Sequence, residues 1–82
     1  MANHRELQNP AARAQVIAQL LAYVENHGFV GISIDFENIP AKAQSAFQHF
    51  MDELYAVLHP KNLLLSVNVP ASDPAFYIVH GG

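Results

Sequence analysis

Apolar residues recur at helical spacing near the start of the chain. They are separated by one, three or four residues, as on one face of an α-helix, and they are Val16, Ile17, Leu20, Leu21 and Val24. Arg13 falls among the polar residues that we assign to the other faces. Asn9 suits an N-cap, Pro10 the first helical position and Gly28 the left-handed position after a helix. The pattern predicts a helix over residues 10–27, after a polar, unpatterned lead-in over residues 1–8.

The next stretch alternates with the period of two that is typical of a β-strand. One face carries the apolar residues Ile32, Ile34 and Phe36, and the other carries Ser33, Asp35 and Glu37. The alternation predicts a strand over about residues 30–36, with two carboxylates close to its carboxyl end.

A second helix and a second strand follow. The helix is expected near residues 41–58, with one apolar side formed by Ala43, Phe47, Phe50, Met51, Leu54 and Leu58. Pro60 cannot continue it. The second strand, Leu63 to Val69, is nearly all apolar, which is typical of a strand covered on both faces. Its Leu64, Ser66 and Asn68 share one face. After a loop, Ala75 to Val79 is predicted to form either another helix or an edge strand.

The order helix, strand, helix, strand predicts an α/β fold with parallel strands, since a helix of this length makes a right-handed crossover between parallel strands. Two strands are too few for a parallel sheet, which needs cover on both faces and neighbours at its edges. We therefore interpret residues 1–82 as a single partial domain. It is either a fragment of a larger barrel or a unit that self-associates to complete its sheet.

Composition narrows the classes of function. The chain is 51% hydrophobic and 13% charged, so we expect apolar surface to be buried against something outside it. A net charge of −3 gives no basic footprint and argues against nucleic-acid binding. No apolar run approaches the ~18 residues of a membrane span. The chain has no cysteine, its histidines do not pair at metal-ligand spacing, and no glycine-rich phosphate loop occurs, so neither a metal nor a cofactor is predicted.

Asp35 and Glu37 are the candidate catalytic residues. Two positions apart on a strand, they would share a face with roughly 6–7 Å between their Cα atoms. Ligands bind at the carboxyl ends of parallel strands. Without a motif, however, an acid at a strand end is more often a helix cap or a solvated loop residue.

The stretch Val30-Gly31-Ile32-Ser33-Ile34-Asp35-Phe36-Glu37 resembles the signature strand of glycoside hydrolase family 18, the chitinase-like TIM barrels. The family pattern is Asp-x-x-Asp-x-Asp-x-Glu, and Asp35 and Glu37 match its last two acids. The flanks, among them Phe36-Glu37-Asn38-Ile39-Pro40, resemble the bacterial spore-germination and cell-wall branch. The resemblance covers about residues 9–74. It implies a partial (β/α)8 TIM-barrel segment that runs from the third helix to the fifth strand.

The resemblance also implies roles for individual residues. Glu37 would be the general acid/base of a substrate-assisted reaction, and Asp35 would steady the acetamido group that attacks. Ser33 stands where the family often has an acid that bonds the next one, and Val30 replaces the first acid. Ser33 and Asn68 are candidate substrate-binding residues, although Asn68 also suits a polar filler of the barrel interior.

The implied substrates are chitin or peptidoglycan, β-1,4-linked glycans that contain N-acetylglucosamine. The isolated segment is expected to be inactive, and the altered Val30 and Ser33 leave open a non-catalytic, carbohydrate-binding or scaffold relative. The expected partner is therefore an oligo- or polysaccharide, with homo-oligomers through exposed strand edges as a second expectation. The chain itself gives no localisation, whereas the resemblance implies a parent protein that works outside the cell or in the cell envelope.

Overall fold

The computed structural model describes residues 7–35 and 40–68. Helix α1 spans Pro10–His27, strand β1 Gly31–Asp35, helix α2 Gln44–Leu58 and strand β2 Leu64–Asn68, with single 3-10 turns at Ala41–Ala43 and His59–Lys61. This is the predicted order. Phe36, Glu37, the turn through Asn38 and Ile39, Val69 and the segment Ala75 to Val79 lie outside the described residues.

The ends of α1 follow from local chemistry. The Asn9 side chain accepts hydrogen bonds from the backbone N–H groups of Ala11 and Ala12, at 2.9 and 3.3 Å, and so satisfies two donors that a helix start leaves unpaired. At the other end Gly28 has a φ of 66°, the left-handed conformation that favours glycine. The predicted bounds of this helix are confirmed.

Helix α2 begins three residues later than predicted, because residues 41–43 form a 3-10 turn. Its predicted apolar side is confirmed: Ala43, Phe47, Phe50, Leu54 and Leu58 are buried and Met51 is half-buried. The chain then turns through Asn62, a non-glycine residue in the left-handed conformation with a φ of 59°. Asparagine tolerates this conformation, so Asn62 can end the helical segment just before β2.

The two strands pair in parallel, as predicted, in the register Gly31 with Leu64, Ser33 with Ser66 and Asp35 with Asn68. Val30 accepts a backbone hydrogen bond from Leu64 at 2.9 Å. A Cβ on Gly31 would lie 2.8 Å from the backbone nitrogen and carbonyl carbon of Leu64 and closer still to its carbonyl oxygen. Only a glycine allows the strands to approach this closely at the start of β1.

One face of the sheet packs against the helices. Ile32, Ile34 and Leu65 contact a core of buried residues from the helices and the segment before α1: Leu7, Ile17, Ala46, Phe50, Leu54 and Leu58. The other face is exposed, with Leu64 at 66%. The described residues therefore cover only one face of β2, because both helices pack on the same side, and cover for the other face stays a prediction.

Two expectations for the N-terminal part are wrong. Leu7, assigned to an unpatterned lead-in, is 5% exposed and belongs to the core. Arg13, assigned to a polar face of α1, is 6% exposed, because it reaches across to α2 and binds Glu53 there. The same guanidinium donates to the Leu7 carbonyl at 2.8 Å. Arg13 thus ties together the segment before α1, α1 itself and α2.

Candidate functional site on the exposed sheet face

Four polar side chains lie together on the sheet face that points away from the helices. They form the polar sheet face: Ser33 and Asp35 from β1, and Ser66 and Asn68 from β2. All four are exposed, whereas Ile32, Ile34, Leu65 and Val67 between them are half-buried. Strand alternation explains this division, since neighbouring residues of a strand point to opposite faces.

Polarity on this face increases along the strands. At the amino end Gly31 lies beside Leu64, in the middle Ser33 lies beside Ser66, and at the carboxyl end Asp35 lies beside Asn68. The carboxyl end of parallel strands is the edge at which α/β proteins bind ligands. The structure therefore brings the predicted site residues Asp35, Ser33 and Asn68 onto one face, with the carboxylate at the edge where chemistry is expected.

Among the predicted site residues, Asp35 and Asn68 are the two that pair in register across the strands. In neighbouring strands, residues that pair in register are about 4.8 Å apart, whereas residues two apart on one strand are separated by roughly 6–7 Å. Asp35 is thus nearer to Asn68 than to Ser33. Both side chains are exposed, and neither has a hydrogen-bond partner in the part of the chain that the structure describes. Glu37, the predicted acid/base, lies outside the described residues.

The alignment of Asp35 with Asn68 could not be predicted from the sequence. Strand alternation placed each residue on the correct face of its own strand. Which residue of β2 faces Asp35 depends on the register, and that is fixed by how α2 and the turn at Asn62 return the chain to the sheet. No local signal in the sequence carries this information.

The ion pair between Arg13 and Glu53 belongs to the helix layer. Arg13 Nε donates to Glu53 Oε1 at 3.0 Å and its terminal Nη2 to Oε2 at 3.1 Å, which is a bidentate arrangement. The hydrogen bond from Arg13 lowers the pKa of the Glu53 carboxyl, and desolvation opposes that shift only in part. Glu53 is therefore held ionised as a structural partner, not as a proton donor.

An open groove of about 450 Å³ lies between the two helices. Its lining is mostly apolar: Pro10, Ala14, Ile17, Ala18, Leu21 and Val57, with Glu53 at one side. The Glu53 carboxylate is already bound by Arg13. The groove therefore offers no free catalytic group among the residues described, and the polar sheet face remains the better candidate site.

The described histidines are exposed, as predicted for surface residues. His27 stacks on Tyr23 with ring centroids 4.1 Å apart and on Phe29 at 5.3 Å, and its Nδ1 donates to the Tyr23 carbonyl at 2.9 Å. His59 stacks on Tyr55 at 5.0 Å. These rings precede the two strands, at the opposite end from Asp35. Within residues 7–35 and 40–68 no cluster of potential metal ligands forms.

None of the helices in the described ranges combines the length and the apolar character that crossing a membrane requires.

Comparison with known proteins relates the chain to carbohydrate-active enzymes. The family model for glycosyl hydrolases family 18 matches residues 3–80. The Bacillus subtilis (strain 168) protein named "Putative sporulation-specific glycosylase YdhD" is 32% identical over 68 residues, which is 83% of this chain and 16% of the relative. "Uncharacterized glycosylase YvbX" of the same organism is 30% identical over 69 residues, 84% of this chain and 20% of the relative. No solved structure matches the chain significantly. The chain thus spans a fifth or less of these relatives' lengths.

Proposed function

The chain belongs to glycosyl hydrolase family 18, and from that premise we propose that it supplies the acid/base strand of a hydrolase that acts on N-acetylglucosamine-containing glycans. In this proposal residues 1–82 are one partial domain, and the polar sheet face lines the interior of a complete (β/α)8 barrel. The two helices then belong to the outer layer of that barrel. The substrate is chitin or peptidoglycan, cleaved at a β-1,4 linkage.

The single observation that carries the proposal is the position of Asp35. It is the last residue of β1, it is exposed, and it stands on the polar face of a parallel sheet whose other face is packed on helices. A carboxylate at the carboxyl end of a barrel strand, on the interior face, is where such barrels perform chemistry. Glu37 follows two residues later in the sequence, so a continuation of the strand would put both acids on that face.

The two acids have different roles in this reading. Glu37 protonates the glycosidic oxygen as the leaving group departs, and the acetamido oxygen of the substrate attacks the anomeric carbon. Asp35 accepts a hydrogen bond from the acetamido N–H and stabilises the positive charge that develops on that group. Glu37 then takes a proton from the water that opens the oxazolinium intermediate. Ser33 and Asn68 lie on the same face and line the sugar subsite beside Asp35.

The test is turnover of a fluorogenic chitobioside by a complete barrel that contains this chain. Glu37→Gln removes the proton donor, and positioned acid/base catalysis contributes about 10²- to 10⁴-fold, so we expect turnover to fall by that factor. Asp35→Asn should also reduce it strongly, because the amide carries no charge. Asp52→Asn is the matched control, since Asp52 is exposed on α2. Equal activity in Glu37→Gln and the unmodified barrel would overturn the proposal.

A second candidate function is a carbohydrate-binding relative without turnover. It is favoured by Val30 and Ser33, which stand at the first two acid positions of the family pattern. Val30 precedes β1, where its backbone carbonyl accepts a hydrogen bond from Leu64, and its 74% exposed side chain supplies no charge. If a complete barrel bound chitooligosaccharides but did not release the fluorophore, this second function would replace the first.

The isolated chain is expected to be inactive, because among the residues that the structure describes the sheet has two strands only, and its exposed face and outer edges lack the neighbours that a barrel provides. Those open edges also favour association between copies of the chain. Sedimentation at several concentrations checks this expectation. A compact monomer throughout would contradict self-association without affecting the proposed catalytic roles.

A further inference from the structure

We infer that the Asn68 side-chain amide is the hydrogen-bond donor that orients the Asp35 carboxylate. This inference rests on the proposed function and deepens it: Asn68 becomes a positioning residue for Asp35, in place of a general sugar contact or a filler of the barrel interior. The juxtaposition that carries it is the register pair Asp35 with Asn68 on the exposed sheet face.

The distance between the two strands favours a bond between these side chains. Asp35 and Asn68 pair in register on neighbouring parallel strands, so their backbones are about 4.8 Å apart and their side chains leave the sheet on the same side. Each side chain is short, with its polar atoms two bonds beyond Cβ, so an amide N–H and a carboxylate oxygen can meet without bending either strand. Ser33 is farther from Asp35, because it lies two residues back on the same strand.

The chemistry of the two side chains also suits such a bond. An asparagine amide has two donors and one acceptor oxygen, whereas an ionised aspartate only accepts. Asn68 can therefore donate to Asp35 and still present its oxygen, or its second N–H, to a ligand. A second acid at this position would face Asp35 directly, and like charges on opposed strand positions are destabilising. Among the exposed residues of β2, Leu64 has no donor and Ser66 faces Ser33, so Asn68 is the one placed to serve Asp35.

Burial of the polar sheet face would require hydrogen-bond partners for both side chains. Both side chains are exposed, and neither has a side-chain hydrogen-bond partner in the described part of the chain. When the rest of a barrel and a sugar cover this face, water is displaced and each polar group needs a partner. A hydrogen bond to a charged group is worth more than a neutral one and fixes direction. The nearest donor for Asp35 is then the amide across the sheet.

The experiment compares Asn68 variants in a complete barrel that contains this chain. Asn68→Ala removes the donor, and Asn68→Asp keeps the volume and replaces the donor with an acceptor. We expect kcat on a fluorogenic chitobioside to fall about 10- to 100-fold in Asn68→Ala, with KM changed by less than about threefold, because the lost bond acts through Asp35. The kcat of Asn68→Asp should fall at least as far. The kcat of Asn68→Gln, which keeps the donor, should fall less. Gln48→Ala, which removes an exposed side-chain amide from α2, is the matched control, and its kcat should stay within about threefold.

A second readout does not depend on turnover. A crystal structure of each variant shows whether the Asp35 carboxylate keeps one rotamer toward residue 68 or occupies several. We expect one rotamer in the unmodified barrel and in Asn68→Gln, and more than one in Asn68→Ala. If one of these barrels does not fold, Asn68→Asp preserves the size of the side chain and answers the same question.

Three outcomes would overturn the inference. If Asn68→Ala lowers only thermal stability and leaves kcat and the Asp35 rotamer unchanged, Asn68 is an interior filler. If it raises KM with kcat unchanged, Asn68 contacts the sugar directly. If the Asp35 rotamer does not respond to any Asn68 variant, no positioning bond exists. Failure of the proposed function is recognised separately, since Glu37→Gln would then leave turnover intact whatever Asn68 does to the Asp35 rotamer.

Discussion

The ion pair between Arg13 and Glu53 should be the most sensitive polar contact in the helix layer. The Arg13 side chain is 7% exposed and makes three hydrogen bonds, at 2.8, 3.0 and 3.1 Å. Glu53→Gln keeps the size of the side chain but replaces one acceptor oxygen with an amide NH2 group, which cannot accept a hydrogen bond from the guanidinium. Arg13 then remains buried with one bond fewer and without a countercharge.

The size of the effect follows from the exposure of the two partners. Breaking a fully buried ion pair costs about 3–5 kcal/mol. The Glu53 side chain is 43% exposed, so water screens the pair, and we reduce the expected cost to about 1–2 kcal/mol. A chain of this size has a stability of only about 3–5 kcal/mol, so this is a large share of it. Urea unfolding followed by circular dichroism at neutral pH measures the change.

The matched control is Glu25→Gln. Glu25 pairs with Lys61 at 3.3 Å, but both side chains are about half exposed, so we expect a change below about 0.5 kcal/mol. The reasoning would be refuted if Glu53→Gln unfolded at the same urea concentration as the unmodified chain, or if the Glu25 and Glu53 variants lost equal stability.

The contribution of the Arg13–Glu53 pair to stability depends on pH in a definite direction. The Arg13 hydrogen bond holds the pKa of Glu53 below its ordinary value of 4.5 in the folded chain. Its contribution to stability is therefore fully present above that value and is lost as the pH falls through the lowered folded pKa. The gap between the unmodified chain and Glu53→Gln should be constant at neutral pH and should narrow in acid. A gap that stays constant well below the ordinary glutamate pKa would contradict this linkage.

Two further predictions concern the sheet and the core. Gly31→Ala places a Cβ against the Leu64 backbone, so it should destabilise the chain by about 1–3 kcal/mol. It should also speed hydrogen exchange at the Leu64 amide, and an unchanged exchange rate would refute the close approach. Leu54→Ala removes a side chain that is 0% exposed and should lower the free energy of unfolding in urea by about 2–5 kcal/mol. Its control Leu64→Ala, at 66% exposure, should cost well under 1 kcal/mol. Equal losses in the two variants would contradict the assignment of the core.

Much of the fold is encoded locally and could be predicted. Helix α1 begins and ends where Asn9, Pro10 and Gly28 supply the chemistry of helix ends, and each of these signals acts within a few residues. The two faces of each strand also follow from simple alternation. The late start of α2 was missed, because the 3-10 turn at Ala41–Ala43 has the same helical hydrophobic spacing as the helix after it.

What the sequence did not reveal depends on contacts between distant residues. The burial of Arg13 requires Glu53, which lies 40 residues away, and without that partner an arginine is correctly expected on the surface. Leu7 enters the core only because α1 and α2 leave space for it beside that arginine. In the candidate site, the faces of Asp35 and Asn68 could be predicted, whereas their pairing across the sheet could not, since it depends on the register.

The most direct test is a crystal structure of a complete barrel containing this chain, with a chitooligosaccharide bound and Glu37→Gln to prevent cleavage. The account predicts that the sugar lies against the face formed by Ser33, Asp35 and Asn68, with its acetamido group on Asp35 and its glycosidic oxygen beside residue 37. A sugar bound elsewhere, or side chains of residues 35 and 37 that point away from each other, would contradict it.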